Sequence, residues 1–213
     1  MIIALNDKKW SLFERFFPSQ KCGRPRIWSD RIILETLLYI LRNGCTWEDL
    51  PSKYPPKSTV YDRFRLWCVS GIFEQIRNTI LEILVETGMK IEVTYIDATF
   101  VIGCLEGDRI GRTKCGKGSK IMTIVNEDSK PHDKMAQERG IKLIAPHKKK
   151  RTKEVTQDSK ELEEVYKERW RVERFFAWTK YARRLLNRFE KKSFVFQAFL
   201  DLFSALTLMK ELS

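Results

Sequence analysis

Apolar residues recur at helical spacing as far as Gly88, and from Ile91 they fall at every second position. A chain that changes period in this way folds as helices first and a sheet afterwards, an α+β or α/β plan. In the first part Ser29 can cap a helix whose Ile32, Ile33, Leu37, Leu38 and Leu41 share one side, and Asn43-Gly44 ends it. Thr46 with Asp49 marks a capped turn closing at Pro51, and the loop SKYPPKS leads to a helix starting near Ser58. Val60, Phe64 and Trp67 lie on the buried side of that second helix, whereas Arg63 and Arg65 can point away. A third helix carries Ile72, Phe73, Ile76, Ile80, Ile83 and Leu84 up to Gly88, so the division falls between residues 1–88 and 89–213.

Helix, turn and basic amphipathic helix together have the pattern of a helix-turn-helix, and an ordinary helical bundle with a charged outer face has it as well. Charge favours the first and leaves the second open. The 213 residues hold 40 Lys+Arg against 28 Asp+Glu, a formal net charge of +12 that favours a polyanion, nucleic acid before an anionic membrane. Aromatic residues at 12% exclude a disordered basic tail and put the charge on a folded body. Arg24, Arg26, Arg31 and Arg42 lie nearby, and Gly23-Arg24-Pro25-Arg26 has the form of an arm that tracks phosphates or a minor groove, or equally of a plain basic linker. Double-stranded DNA is therefore the expected partner, with Arg24, Arg26, Arg63 and Arg65 as its contacts.

No membrane partner is expected, because the apolar stretch Phe194 to Met209 is short for a span, carries Asp201 and reads as a core helix. The opening MIIALNDKKW does not read as a signal peptide, and five cysteines without a CxxC pair suit a reducing cytoplasm. Two histidines, His132 and His147, exclude a histidine-rich metal cage, so any metal would rest on carboxylates, as Mg²⁺ or Mn²⁺ prefer.

The strand alternating through Val101 contains Asp97. Beyond it, glycines 103, 107, 111, 116 and 118 are interleaved with Arg109, Arg112, Lys114, Lys117 and Lys120, leading into a strand from Lys120 to Val125. No phosphate-binding P-loop is present. A long hairpin loop with solvated charges and a phosphate-backbone contact are equally open. A short helical piece at 134–139, a strand at 141–146 and a basic run at 147–153 precede a long helix from about Ser159 to Phe189.

On that helix Tyr166, Arg169, Glu173 and Lys180 fall within about a 60° arc, beside an apolar face of Val165, Val172, Phe175, Phe176 and Leu186. Spacing alone makes this a salt-bridged helix face, since Arg169 and Glu173 are i,i+4 partners. The full pattern Y-x2-R-x3-E-x6-K, however, resembles the signature of bacterial insertion-sequence transposases of the DDE class. The surrounding residues 166–178, then Arg183-Arg184 and Asn187-Arg188-Phe189-Glu190, are similar to that family's C-terminal catalytic helix. Gly23 to Arg26, Asn43 to Pro51 and Thr59-Val60-Tyr61 with Phe64, Trp67 and Gly71 resemble its N-terminal DNA-binding region, and Tyr95-Ile96-Asp97-Ala98-Thr99 resembles the strand bearing its first catalytic aspartate.

The resemblance implies a ribonuclease-H-like domain in which two aspartates and a glutamate bind two divalent ions, Mg²⁺ or Mn²⁺, for phosphoryl transfer. It assigns Asp97 and Glu173 as catalytic metal ligands and Tyr166, Arg169 and Lys180 as contacts to transposon-end DNA. One segment departs from it: a sheet-edge strand, a crossover helix and the central strand bearing the second aspartate are missing, because Asn126 to Pro131 runs within a few residues into Lys134 to Gly140, which resembles the helix after that aspartate. An internal deletion is the simplest account. Asp128 and Asp133 are the only nearby substitutes, and neither is expected to replace the missing ligand, so metal binding and catalysis are expected to be impaired. The expected partners are transposon ends, target DNA and a second copy of the chain, in a cytoplasmic, nucleoid-associated setting. A DNA-binding protein without catalysis, occupying ends or joining full-length transposase in inactive oligomers, is the competing expectation.

Overall fold

The computed structural model describes residues 5–19, 25–87, 96–114, 116–124 and 170–210. Four helices come first: α1 (Asp7–Glu14), α2 (Asp30–Asn43), α3 (Lys57–Val69) and α4 (Ile72–Glu86). Three strands follow, β1 (Ile96–Gly103), β2 (Gly111–Thr113) and β3 (Gly116–Ile124). Then come α5 (Trp170–Thr179), a single 3-10 turn (Arg183–Leu185), β4 (Asn187–Arg188) and α6 (Ser193–Leu208). The strands make one sheet in the order β2-β3-β1-β4, with β2 antiparallel to β3 and the short β4 parallel to the end of β1.

The described residues fall into two compact units. The first gathers the helical region, residues of 101–119 and everything from 179 onward; the second holds 96–100, 120–124 and 170–178. The first unit therefore includes α6 from the far end of the chain.

Local signals account for the helices. The Ser29 hydroxyl accepts from the Ile32 amide at 3.3 Å, and Gly44, at φ 68°, returns its own amide to Ile40 O at 2.8 Å. Glycine suits this left-handed cap because it has no Cβ to clash. Thr46 accepts from the Asp49 amide and donates to its carboxylate at 2.6 Å, closing the capped turn.

Val60, Phe64 and Trp67 of α3 are buried as their spacing requires, as are Ile72, Phe73, Ile76, Ile80 and Leu84 of α4. α6 packs onto α4 and α3 and completes the core, in which Phe64 meets Phe199 at 4.6 Å and Phe73 at 5.6 Å between ring centres. Each such ring removed from water contributes about 1.5–3 kcal/mol. None of the described helices is long and apolar enough to cross a membrane.

Asp201 is the polar exception in α6. It is buried against Arg77 of α4, and Gln197 donates to it at 3.1 Å. Burial pushes its carboxyl above the ordinary value, and Arg77 and Gln197 pull it part of the way back. A carboxyl with a raised folded pKa contributes stability that is complete below the unfolded value of 3.8 and lost as pH rises through the folded one. Melting curves across that window should show wild type losing ground to Asp201→Asn as pH rises; a difference that stays constant with pH would contradict this assignment.

Two expectations are corrected. The helix running to Phe189 stops at Thr179, and the chain continues as the 3-10 turn and then β4. Its residues have good helical propensity, but Arg184 and Arg188 turn into the interior and the Arg188 carbonyl accepts from Cys104 N at 3.0 Å, so tertiary partners override propensity. Leu186 consequently leaves the apolar face and stands 42% exposed. The strand expected from Lys120 starts at Gly116, because Gly111 to Thr113 fold back and pair with 116–118. The pieces expected at 134–139 and 141–146, and the start of the long helix, lie outside the described residues.

Candidate functional site

Among the residues singled out from the sequence, Asp97 is the second residue of β1, and Glu173 stands in the first turn of α5 with its side chain exposed. Both belong to the second unit. Lys180, exposed, follows α5 in the turn that leads to Arg183, and that turn belongs to the first unit. Tyr166, Arg169, Asp128, Asp133 and Arg24 lie outside the described residues. No three His, Cys, Asp or Glu side chains among the described residues converge on a point that could hold a metal ion.

The basic residues of the first unit divide into those held by described partners and those that stand exposed. Asp30, the first residue of α2, receives both Arg26 and Arg63, each with Nη1 at 3.1 Å from Oδ1. Arg63 also donates to Trp28 O at 2.7 Å, and its side chain is 11% exposed. Burial lowers the Arg63 guanidinium pKa while the Asp30 carboxylate supports it. Arg63 therefore fastens the segment before α2 to α3, and Arg26 docks on the same carboxylate. Arg65, two residues from Arg63, is exposed together with Lys57, Tyr61 and Leu66 on the outer side of α3. Arg31 pairs with Asp7 at 2.7 Å and Glu35 at 3.1 Å, and Arg42 is exposed at the end of α2.

The most deeply placed charges were not singled out individually from the sequence. Arg184 is fully buried, donating Nε to Glu190 Oε1 at 2.8 Å and Nη1 to Cys45 O at 2.6 Å. Its Nη2 lies 2.6 Å from the same Oε1, an ionic contact without hydrogen-bond alignment, and Glu190 Oε2 has no hydrogen-bond partner among the described residues. The guanidinium stacks near Trp47, Phe189 and Phe199, at 4.7–5.8 Å from the ring centres. Arg188, 1% exposed, donates to Glu190 O at 2.9 Å and to Ser119 Oγ at 2.8 Å. The usable signal was two arginines and a glutamate set among aromatic residues in so short a stretch, a composition suited to a buried, fully engaged pair.

Cys45, Cys68 and Cys104 carry free thiols, and burial pushes the Cys68 thiol well up, away from the thiolate that reactivity needs.

Comparison with known proteins gives two family matches. Residues 5–77 match a family described as putative transposase of the IS4/5 family, and residues 117–208 match the transposase DDE domain. Glu173 and Lys180 fall inside the second match, and Asp97 falls between the two. A curated protein of Sinorhizobium fredii, y4sN, is 29% identical over 100 residues, which is 46% of this chain and 75% of that protein. A 16.2 kDa protein of insertion element IS402 from Burkholderia cepacia is 24% identical over 117 residues, 51% of this chain and 80% of that protein. No solved structure matches.

Proposed function

Because the chain belongs to the insertion-sequence transposases of the DDE class, we propose that residues 1–88 recognise transposon-end DNA and that residues 89–213 form the ribonuclease-H-like part without its middle segment. The family binds DNA and works with divalent metal ions. In this reading α2 and α3 act as a helix-turn-helix, with Arg65 on its exposed side, Arg24 on the preceding arm, and Arg26 and Arg63 orienting that arm through Asp30. Tyr166, Arg169 and Lys180 hold the DNA end near the chemistry. Asp97 and Glu173 are the metal ligands that remain from the family's three.

The observation that carries the reading is the pair of matches, one on each side of the interval that contains Asp97, in a chain whose +12 charge suits a DNA partner. The missing aspartate segment supports a second part of the proposal: DNA binding is retained and cleavage is impaired. Two carboxylates cannot readily hold two Mg²⁺ ions, so no metal-dependent step is assigned to this chain. The competing role, a non-catalytic binder that occupies ends or joins full-length transposase as a mixed oligomer, follows from the same absence.

Incubating labelled insertion-element end DNA with the protein and Mg²⁺ or Mn²⁺, beside its Glu173→Gln variant, tests both parts. Binding without cleavage by either protein is the expected result. Cleavage that disappears in the variant would show that another residue completes the site and would overturn the impairment; absence of binding would overturn the recognition. Glu173 is exposed, so the substitution leaves the fold in place.

A further inference from the structure

The β2–β3 hairpin and the loop before it carry an excess of cations, three of which form no ion pair with a described residue. Arg109, Arg112, Lys114 and Lys117 are all exposed. Lys117 meets Glu106 at 2.7 Å, whereas Arg109, Arg112 and Lys114 form no ion pair with any described residue. The loop closes on the segment before α6, where Lys191 O accepts from Asp108 N at 2.8 Å, which brings the exposed Lys191 and Lys192 to the same place. The hairpin, this loop and the segment before α6 together expose six cations against two carboxylates, Glu106 and Asp108, which pair with Lys117 and Lys192 and leave the cations in excess.

The surface is also shaped for close approach. β2 is the edge strand, and an open groove of about 510 Å³ runs along the hairpin, lined by Gly111, Arg112, Thr113, Gly116 and Lys117. Glycines at two of the five lining positions leave the backbone bare between the cations, and a Cβ at Gly111 or Gly116 would meet nothing within 4 Å. Steric need for a neighbouring side chain therefore does not explain Gly111.

Arg109 supplies a second, independent observation. It is the one non-glycine residue at positive φ among the described residues, at 57°. Its carbonyl accepts from Ser119 Oγ at 2.8 Å, and that hydroxyl accepts in turn from the fully buried Arg188. A non-glycine residue costs energy in this conformation, where glycine would fit freely, and such strain concentrates at functional positions. A buried arginine and a buried hydroxyl thus hold in place a residue whose own side chain projects into solvent.

We propose that this hairpin is a second DNA-binding element, in which Arg109, Arg112 and Lys114 contact duplex phosphates independently of α3. The proposal rests on the transposase reading for its partner, and charge complementarity with an open, glycine-lined groove selects the phosphate backbone over base edges. Sequence specificity stays with α3, and the hairpin adds affinity that any duplex can use.

The test is binding of a random-sequence duplex as a function of salt, for wild type, Arg109→Ala/Arg112→Ala/Lys114→Ala and Arg109→Gly. Each phosphate contact contributes about 0.9 to the slope of log affinity against log salt, so the triple variant should lose about 2–3 of slope and bind about tenfold or more weakly. Arg109→Gly removes one charge and relieves the strained φ, so it should lose about 1 of slope while its melting temperature holds or rises. Unchanged slopes in both variants, with wild type binding normally, would overturn the hairpin element and leave the transposase reading standing. Wild type that binds no duplex at all would instead sink that reading, and the hairpin with it.

Discussion

Arg184→Ala should destabilise the first unit by about 3–5 kcal/mol, the usual loss when one partner of a buried ion pair is removed. The variant leaves the Glu190 carboxylate buried without its cation and Cys45 O without its donor, and it empties a space between Trp47, Phe189 and Phe199. Against a total stability of about 5–15 kcal/mol for a domain, this is enough to populate unfolded chain. Urea titration with tryptophan emission would report it, since Trp47 lies against the guanidinium. The double variant Arg184→Met/Glu190→Leu should recover much of the loss, because a well-packed apolar pair avoids the desolvation of both charges. A single variant within about 1 kcal/mol of wild type would mean that the pair makes little net contribution.

Gly118→Ala should be nearly as costly, for a steric reason. A Cβ at position 118 of β3 would overlap the Val101 carbonyl oxygen of β1 and lie 3.1 Å from its carbon and 3.3 Å from Ile102 Cα. These are backbone atoms and cannot rotate aside as a flexible side chain would, so β1 and β3 must separate. About 3 kcal/mol is expected, at the upper end for overpacking. The melting temperature should fall with it, whereas Gly111→Ala, which would meet nothing within 4 Å, serves as the control on the same hairpin. Equal melting temperatures for the two variants would show that the strands accommodate the methyl group.

Both effects arise where distant parts of the chain meet. The local elements were legible in the sequence because their causes are local: the Ser29 and Gly44 caps bound α2, the i,i+4,i+7 spacing of Val60, Phe64 and Trp67 places α3 against its neighbours, and Phe194 to Met209 is apolar enough to be a core helix. The candidate carboxylates were legible as well, Asp97 on a strand and Glu173 on a helix, because the motif around each is continuous in sequence. The end of the long helix was not legible, since Arg, Leu and Asn between 183 and 188 carry no strong local stop signal and what ends the helix is the burial of two of those arginines.

The tasks of the arginines divide the same way. From the sequence Arg63 and Arg65 were equivalent basic residues on one helix, yet Asp30 and Trp28 O, more than thirty positions earlier, hold the first and leave the second exposed. Arg184 and Arg188 lay within a recognised motif, but that each would be buried depended on Cys45, 139 positions away, and Ser119, 69 positions away. The sequence by itself determined the class of the chain, its helical and sheet portions and its excess of positive charge, because periodicity, caps and composition are read over a few residues at a time. Only the tertiary structure decided which charges hold the fold together and which stay exposed, because a charge is spent or spared by a partner that lies far off in sequence and near only after folding.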